Sequence, residues 1–311
     1  MNEDRLLERT SRSFYLTLRL LPRAVRGDAS LGYLLARATD TVADTSAHAV
    51  ARRAELLRAA AASLGRETLA GYEPSVWSAA QRDQAERELL ARWPDLWRRL
   101  AERPAPARAR LERVMAQIIE GQIMDLERFG PGAAPLDDAE LERYTFLVAG
   151  SVGEFWTDLC HAEMRHFASL PAGQMRTHAR RYGQALQLVN ILRDRRMDAA
   201  LGRVYIPAGD VARRAAQARE GLGEAVPYCA AVRSGRLRYA TLLPALFGWR
   251  TLAMEAPRDP GVLTPAKVPR SEVRRWMRRA LPVWWTPAAV RTVAAAASRP
   301  AGGAGGSAAW R

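Results

Sequence analysis

Apolar residues recur at helical spacing along nearly every segment of this chain, and most segments are rich in alanine and leucine. Runs of alternating β-branched residues between Asn-Gly or Asp-Gly turns are missing, so strands have little support. The pattern therefore predicts an all-α protein with helices of about 20 to 30 residues, long for a globular chain. The helices are expected to begin near Asn2, Arg23, His48, Val76, Pro106, Asp137, Ala172, Ala225 and Ser271.

Proline and glycine clusters predict where these helices are interrupted. The breaks are expected at 71–74, 103–106, 130–135, 201–207, 256–269 and 281–287. No repeat and no shift in composition indicates a second domain. We expect one domain over residues 1–298 and a frayed, flexible tail at 299–311, which is rich in glycine and alanine.

Composition excludes several classes of protein. Hydrophobic residues make up 48% and charged residues 26% of the 311, which excludes wholesale disorder. Two cysteines, Cys160 and Cys229, exclude a disulfide scaffold. The N-terminus lacks the apolar stretch of a signal peptide, and no run approaches the ~18 apolar residues needed to span a bilayer. The chain is therefore expected to be cytoplasmic. No feature of the sequence indicates an oligomeric state.

A net charge of +14 means that the protein attracts anions such as nucleic acid, anionic lipid or a phosphorylated substrate. Lys267 is the single lysine among 47 basic residues, a bias typical of GC-rich coding sequences. A nucleic-acid-binding protein should gather its basic residues on one face. Here the arginines are spread along the whole chain, so nucleic acid is not an expected partner.

Two pairs of aspartates have the spacing of neighbours on a helix face. Asp40 and Asp44, and likewise Asp194 and Asp198, stand four residues apart. Adjacent carboxylates repel unless a cation lies between them, and hard oxygen ligands suit Mg²⁺, which often shares substrate phosphates with its carboxylates. A solvated helix face is the alternative interpretation of either pair by itself.

Each pair extends a longer polar stripe. Tyr33 and Arg37 precede Asp40 at helical spacing, and Gln187 and Asn190 precede Asp194 in the same way. A polar stripe among leucine, valine and isoleucine is costly to bury without partners. Two such stripes that face each other would form an acidic cavity able to hold metal ions and a diphosphate.

Small residues mark the segment 144–153, where Ala149, Gly150 and Gly153 thin one side of a long helix. Each glycine costs a helix about 1 kcal/mol relative to alanine. Close helix packing is one explanation. Room for a long apolar ligand in the bundle core is the other, with Tyr144 as a polar group in an apolar wall.

These motifs together resemble the squalene/phytoene synthase family of head-to-head prenyltransferases. The matching blocks run in the family's order from about residue 9 to 210. They are Ser11-Arg-Ser-Phe14, Tyr33-Leu-Leu-Ala-Arg-Ala-Thr-Asp-Thr-Val-Ala-Asp44, residues 144–153, Gln187-Leu-Val-Asn-Ile-Leu-Arg-Asp194 with Asp198, and Gly202-Arg-Val-Tyr-Ile-Pro207. The resemblance implies an isoprenoid-synthase helical bundle around a central cavity. It also implies Mg²⁺-dependent condensation of two allylic diphosphates through a cyclopropylcarbinyl diphosphate.

The resemblance also implies roles for individual residues. The metal–diphosphate assembly would be held by Asp40, Asp44, Asn190, Asp194 and Asp198. Diphosphate oxygens would be bound by Ser11, Arg12, Ser13, Arg37, Arg193 and Arg203. The reacting carbons would lie near the catalytic candidates Tyr33, Tyr144 and Gln187. The substrate cavity would be lined by Phe14, Val148, Gly150, Gly153 and Gly183.

The first motif reads Asp-Thr-x-x-Asp, with Thr41 in second place. This order resembles squalene synthases more than phytoene synthases, and Ser-Arg-Ser-Phe points the same way. Ala43 departs from the acidic residue common there. Farnesyl diphosphate would then be the substrate and NADPH the reductant, with Lys267 and Arg270 placed to bind the cofactor's phosphates. The alternatives are a non-reductive phytoene or dehydrosqualene synthase, an enzyme that stops at presqualene diphosphate, and a catalytically silent helical interaction protein.

The C-terminal region combines arginine with tryptophan. Arg270, Arg274, Arg275, Arg278 and Arg279 surround Trp276, and Trp284 and Trp285 follow. Two interpretations are open: a helix docked on the bundle with a solvated basic face, or a surface helix that makes a peripheral membrane contact with anionic lipid.

Overall fold

The computed structural model describes residues 3–11, 18–130, 132–256, 258–259 and 262–299. In these ranges the chain forms helices and no strand, and one isolated β-bridge joins Ala168 to Val232. The prediction of an all-α protein is therefore confirmed. Both cysteines, Cys160 and Cys229, are buried and free.

Two compact units make up the chain. The first contains Met1–Arg128 and Asp158–Met164, and the second contains Phe129–Thr157 and Arg165–Arg311. The single domain expected over residues 1–298 stays a prediction. The tail expected at 299–311 lies outside the described residues, apart from Arg299.

Helix α2 is the central element of the first unit, and it packs against α3, α5, α6 and α7. Its apolar positions supply much of the core, where Leu34, Leu35, Trp93, Trp97 and Leu111 are buried. The helices of this unit are α1 (Glu3–Ser11), α2 (Arg23–Asp44), α3 (Val50–Ala62), α4 (Pro74–Ala79), α5 (Gln84–Ala91), α6 (Trp93–Ala101) and α7 (Ala105–Arg128).

Three short helices, α4 to α6, replace the one long helix expected between the predicted breaks near residues 74 and 103. The Asp83 carboxylate accepts hydrogen bonds from the N–H groups of Ala85 and Glu86, at 2.8 and 3.2 Å, and so begins α5. Pro94 follows at the start of α6, where its missing N–H costs nothing. Local capping therefore overrides the continuous apolar pattern.

Helix α10, with 29 residues the longest element, is central to the second unit and packs against α11, α12 and α13. The helices here are α8 (Asp138–Thr145), a π-helix (Phe146–Gly150), α9 (Ser151–Glu163), α10 (Ala172–Ala200), a 3₁₀ turn (Ala208–Asp210), α11 (Val211–Gly223), α12 (Ala225–Ala231), α13 (Gly235–Glu255), α14 (Arg270–Arg279), α15 (Pro282–Trp285) and α16 (Ala289–Ser298). The end of α9 belongs to the first unit.

Every predicted helix start lies within two residues of an observed one. At Asp137 the reason is local, because its side chain and that of Glu140 form a reciprocal capping box. The expected lengths hold for α2, α7, α10 and α13, which have 21 to 29 residues. The remaining helices of the described ranges are shorter.

Candidate active site

The first polar stripe lies along α2, between buried apolar residues. Tyr33, Arg37 and Asp40 are half-buried and Asp44 is exposed, whereas neighbouring positions such as Leu34 and Val42 are buried. The stripe thus borders the core without entering it. Thr41 lies off the stripe: it is buried, and its hydroxyl donates to the Arg37 carbonyl over 2.8 Å.

Arg37 joins two carboxylates in the first unit. Its Nη1 donates to Asp40 Oδ2 over 2.6 Å, and its Nη2 donates to Glu86 Oε1 over 2.7 Å. Burial disfavours the charged guanidinium, but the two carboxylates outweigh it and raise the pKa of Arg37. The Arg37 guanidinium is therefore held charged and oriented beside the aspartate pair.

Asp40 keeps 45% of its side-chain surface exposed, yet protein atoms strip enough of its hydration to affect its ionisation. Its pKa is raised to about 6, first by burial and then by the negative charge of Asp44, while Arg37 opposes the rise. Two carboxylates that resist ionising together are suited to a cation that binds both.

The C-terminal end of α1 lies next to Tyr33, whose hydroxyl donates to the Thr10 carbonyl over 3.2 Å. Ser11 follows as the last residue of α1. Its side chain and the residues Arg12, Ser13 and Phe14 lie outside the described residues, so their expected roles stay predictions.

The second stripe lies along α10 and has the same character. Gln187, Asn190, Asp194 and Asp198 are half-buried, and apolar neighbours such as Leu192 are buried. Asn190 donates through its amide to Gln187 Oε1 at 3.5 Å, the limit of a hydrogen bond. Because the amide nitrogen makes this contact, the Asn190 amide oxygen is available as a metal ligand.

Arginines accompany this aspartate pair as well. Arg193 binds Asp194 with two parallel hydrogen bonds, of 2.8 and 2.5 Å, and this contact is the main cause of its raised pKa. Arg203 donates to Asp198 Oδ1 over 2.8 Å. Each predicted metal-binding pair thus has at least one predicted diphosphate-binding arginine in direct contact with it.

The donor chemistry of both stripes fits Mg²⁺, because carboxylate and amide oxygens are hard ligands. Within the described ranges, no three His, Cys, Asp or Glu side chains form a metal-binding group. A metal ion at either pair would therefore complete its shell with water and phosphate oxygens, as Mg²⁺ commonly does. Asp40 and Asp44 belong to the first unit and Asp194 and Asp198 to the second. That the two stripes face each other stays a prediction.

Tyr144 lies in an aromatic cluster of the second unit. It is buried, and its ring stacks on Tyr205 with centroids 5.4 Å apart. Phe129 packs edge-on against Tyr205, with the two ring centroids 4.7 Å apart. The cluster adds Tyr205 and Phe129 to the surroundings of Tyr144. Its expected place in the wall of a ligand cavity stays a prediction.

The segment after Tyr144 is a π-helix, a wider turn that often marks functional sites. Gly150 is buried within it and Val148 is half-buried. A Cβ on Gly153 would lie 2.2 Å from the Ala179 carbonyl oxygen, and one on Gly183 would lie 2.4 Å from that of Ala149. The space beside these two glycines is filled by facing backbone, so close helix packing accounts for them.

Lys267 and Arg270 lie at the entrance to α14, and both are exposed. Neither makes a hydrogen bond or ion pair with any described residue. Two cations free in this sense fit the phosphates of a nucleotide cofactor. Their expected role in binding NADPH stays a prediction.

Sequence reasoning missed Glu86 and Tyr205. Glu86 stands at the start of α5, where it reads as a helix-start residue, and only folding brings it to Arg37. Tyr205 belongs to a motif quoted for the family, but nothing in its spacing links it to Tyr144. Only the tertiary structure shows that these two residues lie beside predicted site residues.

The family model described as squalene/phytoene synthase matches residues 7–215, which include both aspartate stripes, Tyr144 and Tyr205. The chain belongs to this family. Its members are prenyltransferases, and the resemblance of the sequence motifs is confirmed.

Relatives carry several activities in their names. The chain is 32% identical over 219 residues to a bifunctional lycopene cyclase/phytoene synthase of Colletotrichum graminicola, covering 65% of this chain and 33% of that protein. It is 31% identical over 197 residues to a presqualene diphosphate synthase of Zymomonas mobilis, covering 63% and 56%. It is 30% identical over 210 residues to a squalene synthase of Rattus norvegicus, covering 65% and 45%. The match thus spans only about a third of the length of the bifunctional relatives.

Solved structures share the fold. A TcSQS complex with a ligand matches at a TM-score of 0.76 and 20% identity, covering 95% of this chain and 88% of that one. A dehydrosqualene synthase complex matches at a TM-score of 0.59 and 19% identity, covering 89% of this chain and 93% of that one. The predicted isoprenoid-synthase fold is confirmed.

Proposed function

We propose that this protein condenses two molecules of farnesyl diphosphate head to head, with Mg²⁺, to presqualene diphosphate and then reduces this product to squalene with NADPH. The observation that carries the proposal is the repeated pairing of aspartates with arginines. Arg37 binds Asp40 on α2, and Arg193 and Arg203 bind Asp194 and Asp198 at α10. Two such sets match a reaction that uses two diphosphates.

Loss of a diphosphate from an allylic carbon requires that the leaving charge be neutralised. Mg²⁺ held by Asp40, Asp44, Asn190, Asp194 and Asp198 would supply most of that neutralisation. Arg37, Arg193 and Arg203 would bind the phosphate oxygens, since a planar guanidinium matches them with two parallel hydrogen bonds. Their present carboxylate contacts hold them beside the two aspartate pairs.

The carbocation that remains must be kept from water. The stacked rings of Tyr144 and Tyr205, with Phe129 beside them, would provide an aromatic wall for it. The Tyr33 hydroxyl donates a hydrogen bond to the Thr10 carbonyl, which orients the phenol oxygen, a weak base. The proton released during cyclopropane formation would pass to Tyr33 or to the departing diphosphate.

Reduction of presqualene diphosphate needs a hydride, which NADPH would supply. Lys267 and Arg270 would bind the cofactor's phosphates, since charge-assisted contacts are roughly twice as strong as neutral ones. No Gly-x-Gly-x-x-Gly fingerprint accompanies them, so the binding mode would differ from that of a Rossmann domain.

Incubation with farnesyl diphosphate and Mg²⁺, with and without NADPH, tests the proposal when products are identified by mass. We expect presqualene diphosphate without NADPH and squalene with it. No consumption of farnesyl diphosphate, or of its longer homologue geranylgeranyl diphosphate, would overturn the condensation itself.

A non-reductive synthase is the second candidate, because the relatives of about 30% identity include phytoene synthases and a presqualene diphosphate synthase. Thr41 in the first motif favours the squalene synthase, as the resemblance implies, and its hydroxyl donates to the Arg37 carbonyl of its own helix. The same product, with and without NADPH, would establish this second candidate.

A peripheral membrane contact would suit an enzyme that releases an apolar hydrocarbon. Trp285 is 74% and Leu281 is 42% exposed, and the exposed Arg278 precedes them. Trp276 is buried instead, with Arg279 over its ring. Among the described residues, no helix is both long and apolar enough to cross a bilayer. Flotation with anionic vesicles at low salt, comparing the wild type with Trp285→Ala, tests the contact. Equal flotation of the two proteins would show that Trp285 takes no part in a membrane contact.

A further inference from the structure

Glu255, the last residue of α13, is a buried carboxylate outside the proposed diphosphate-binding set. Only 1% of its surface is exposed. Its Oε1 accepts hydrogen bonds from Arg195 over 3.2 Å and from Arg196 over 2.5 Å, and its Oε2 lies 3.5 Å from Arg258 Nε. The backbone N–H of Ala266 also donates to Oε2, over 3.2 Å.

Two of these arginines lie on the turn of α10 that separates Asp194 from Asp198. A buried charge is costly unless it is paired, so Arg195 and Arg196 are kept beside Glu255. Their hydrogen bonds to this carboxylate fix the turn of α10 that carries them. Arg196 is fixed a second time, because it donates to the Arg258 carbonyl over 3.1 Å. Glu255 is also close enough to Arg193 to contribute to its raised pKa, after the larger effect of Asp194.

The other contacts of Glu255 reach the segment that precedes α14. Arg258 donates to the carbonyl of Thr264, and Ala266 is anchored through its N–H. Lys267 is the next residue. One carboxylate therefore connects the turn that carries Asp194 and Asp198 with the approach to Lys267.

We propose that Glu255 is a positioning residue that fixes the Asp194–Asp198 turn of α10 against the segment before Lys267, and that diphosphate binding depends on this arrangement. The inference rests on the proposed function, since it assigns Glu255 to the support of the same site.

Glu255→Gln tests this role with Mg²⁺ and inorganic pyrophosphate as the probe, measured by calorimetry. Loss of a hydrogen-bond partner that orients a metal ligand typically costs 10- to 100-fold in affinity, and Glu255 acts one step further out, through Arg195 and Arg196. We expect a loss of about tenfold or more for Glu255→Gln, together with faster hydrogen exchange at the Ala266 amide. Glu154→Gln is the matched control: Glu154 is also buried and pairs with two α10 arginines, Arg180 at 2.5 Å and Arg176 at 3.6 Å, in the N-terminal half of the helix. The control should bind pyrophosphate like the wild type.

The outcomes separate this inference from the proposed function. No binding of Mg²⁺ and pyrophosphate by the wild type would overturn both. Normal binding by the wild type and by Glu255→Gln would overturn the role of Glu255 alone, as would an equal loss in both glutamine variants. If Glu255→Gln does not fold, Arg258→Ala decides, because Arg258 is half-buried and two arginines would remain on Glu255. It should also weaken pyrophosphate binding, and unchanged affinity would overturn the proposal.

Discussion

Arg203 binds Asp198 twice, once with its backbone and once with its side chain. Its N–H donates to the Asp198 carbonyl over 2.8 Å, and its Nη2 donates to the Asp198 carboxylate over 2.8 Å. Gly202 makes this return possible, since its φ of +80° lies in the left-handed region that other residues rarely adopt. The end of α10 thus brings a guanidinium back to the carboxylate five residues before it.

Gly202→Ala should lower the free energy of unfolding by roughly 1 to 2 kcal/mol, the cost of left-handed backbone for a residue with a Cβ. Because Arg203 would also be displaced, the affinity for Mg²⁺ and pyrophosphate should fall. Denaturant unfolding and calorimetry measure the two effects. Gly209→Ala is the control, since Gly209 lies nearby with no left-handed φ and no atom within 4 Å of an added Cβ. Equal behaviour of the two variants would contradict the argument.

Asp194→Asn should reduce turnover by roughly two orders of magnitude or more, because it removes a carboxylate charge from the proposed metal site. Circular dichroism should show the helical fold intact. Asp210→Asn removes the same charge from an exposed pair with Arg213 in the same unit and should stay near wild type. Near wild-type turnover in Asp194→Asn, at matched Mg²⁺, would remove Asp194 from the site.

Asp40 should make the metal-free protein less stable as the pH rises. Its pKa of about 6 exceeds the ordinary 3.8, so between these values the folded state binds more protons than the unfolded state. The free energy of unfolding therefore falls as the pH rises through this window. Asp40→Asn cannot ionise at this position, so it does not lose stability in this way. The Tm difference between the variant and the wild type should therefore be more favourable to the variant at pH 7 than at pH 4.5. Its turnover should fall. Calorimetric scans in metal-free buffer measure the difference, and a constant offset would show that the Asp40 pKa is not raised.

Gly183→Ala should destabilise the protein by about 1 to 3 kcal/mol, the usual cost of overpacking. The added Cβ would lie 2.4 Å from the Ala149 carbonyl oxygen, so the helices must separate. Gly173→Ala, at the start of the same helix, meets no atom within 4 Å and gains helix propensity. Thermal unfolding compares them. If Gly183 instead borders open space, both variants will be equally stable.

Alanine at both Lys267 and Arg270 should spare condensation and impair reduction. Presqualene diphosphate would accumulate from farnesyl diphosphate in the presence of NADPH while squalene falls, because the cofactor's phosphates lose two cations. Alanine at Arg291 and Arg299, two exposed arginines nearer the C-terminus, is the charge-matched control. Product analysis by mass reads both. Squalene formation at the wild-type rate and NADPH dependence would place the cofactor elsewhere.

The all-α fold, the helix starts and the two polar stripes are determined by the sequence itself. Helical periodicity and capping are local properties, as the capping box of Asp137 and Glu140 shows. The spacing of Asp40 from Asp44 and of Asp194 from Asp198 is also local, since residues four apart share a helix face.

Tertiary structure decided which partners these residues meet. Glu86 reaches Arg37 from 49 positions away, Tyr205 stacks on Tyr144 from another element, and Glu255 reaches Arg195 and Arg196 across 60 and 59 positions. Such contacts depend on how whole helices pack, and no periodicity along the chain records that. The same holds for Gly153, where the sequence left close packing and room for an apolar ligand as alternatives and the facing carbonyl of Ala179 decided for packing.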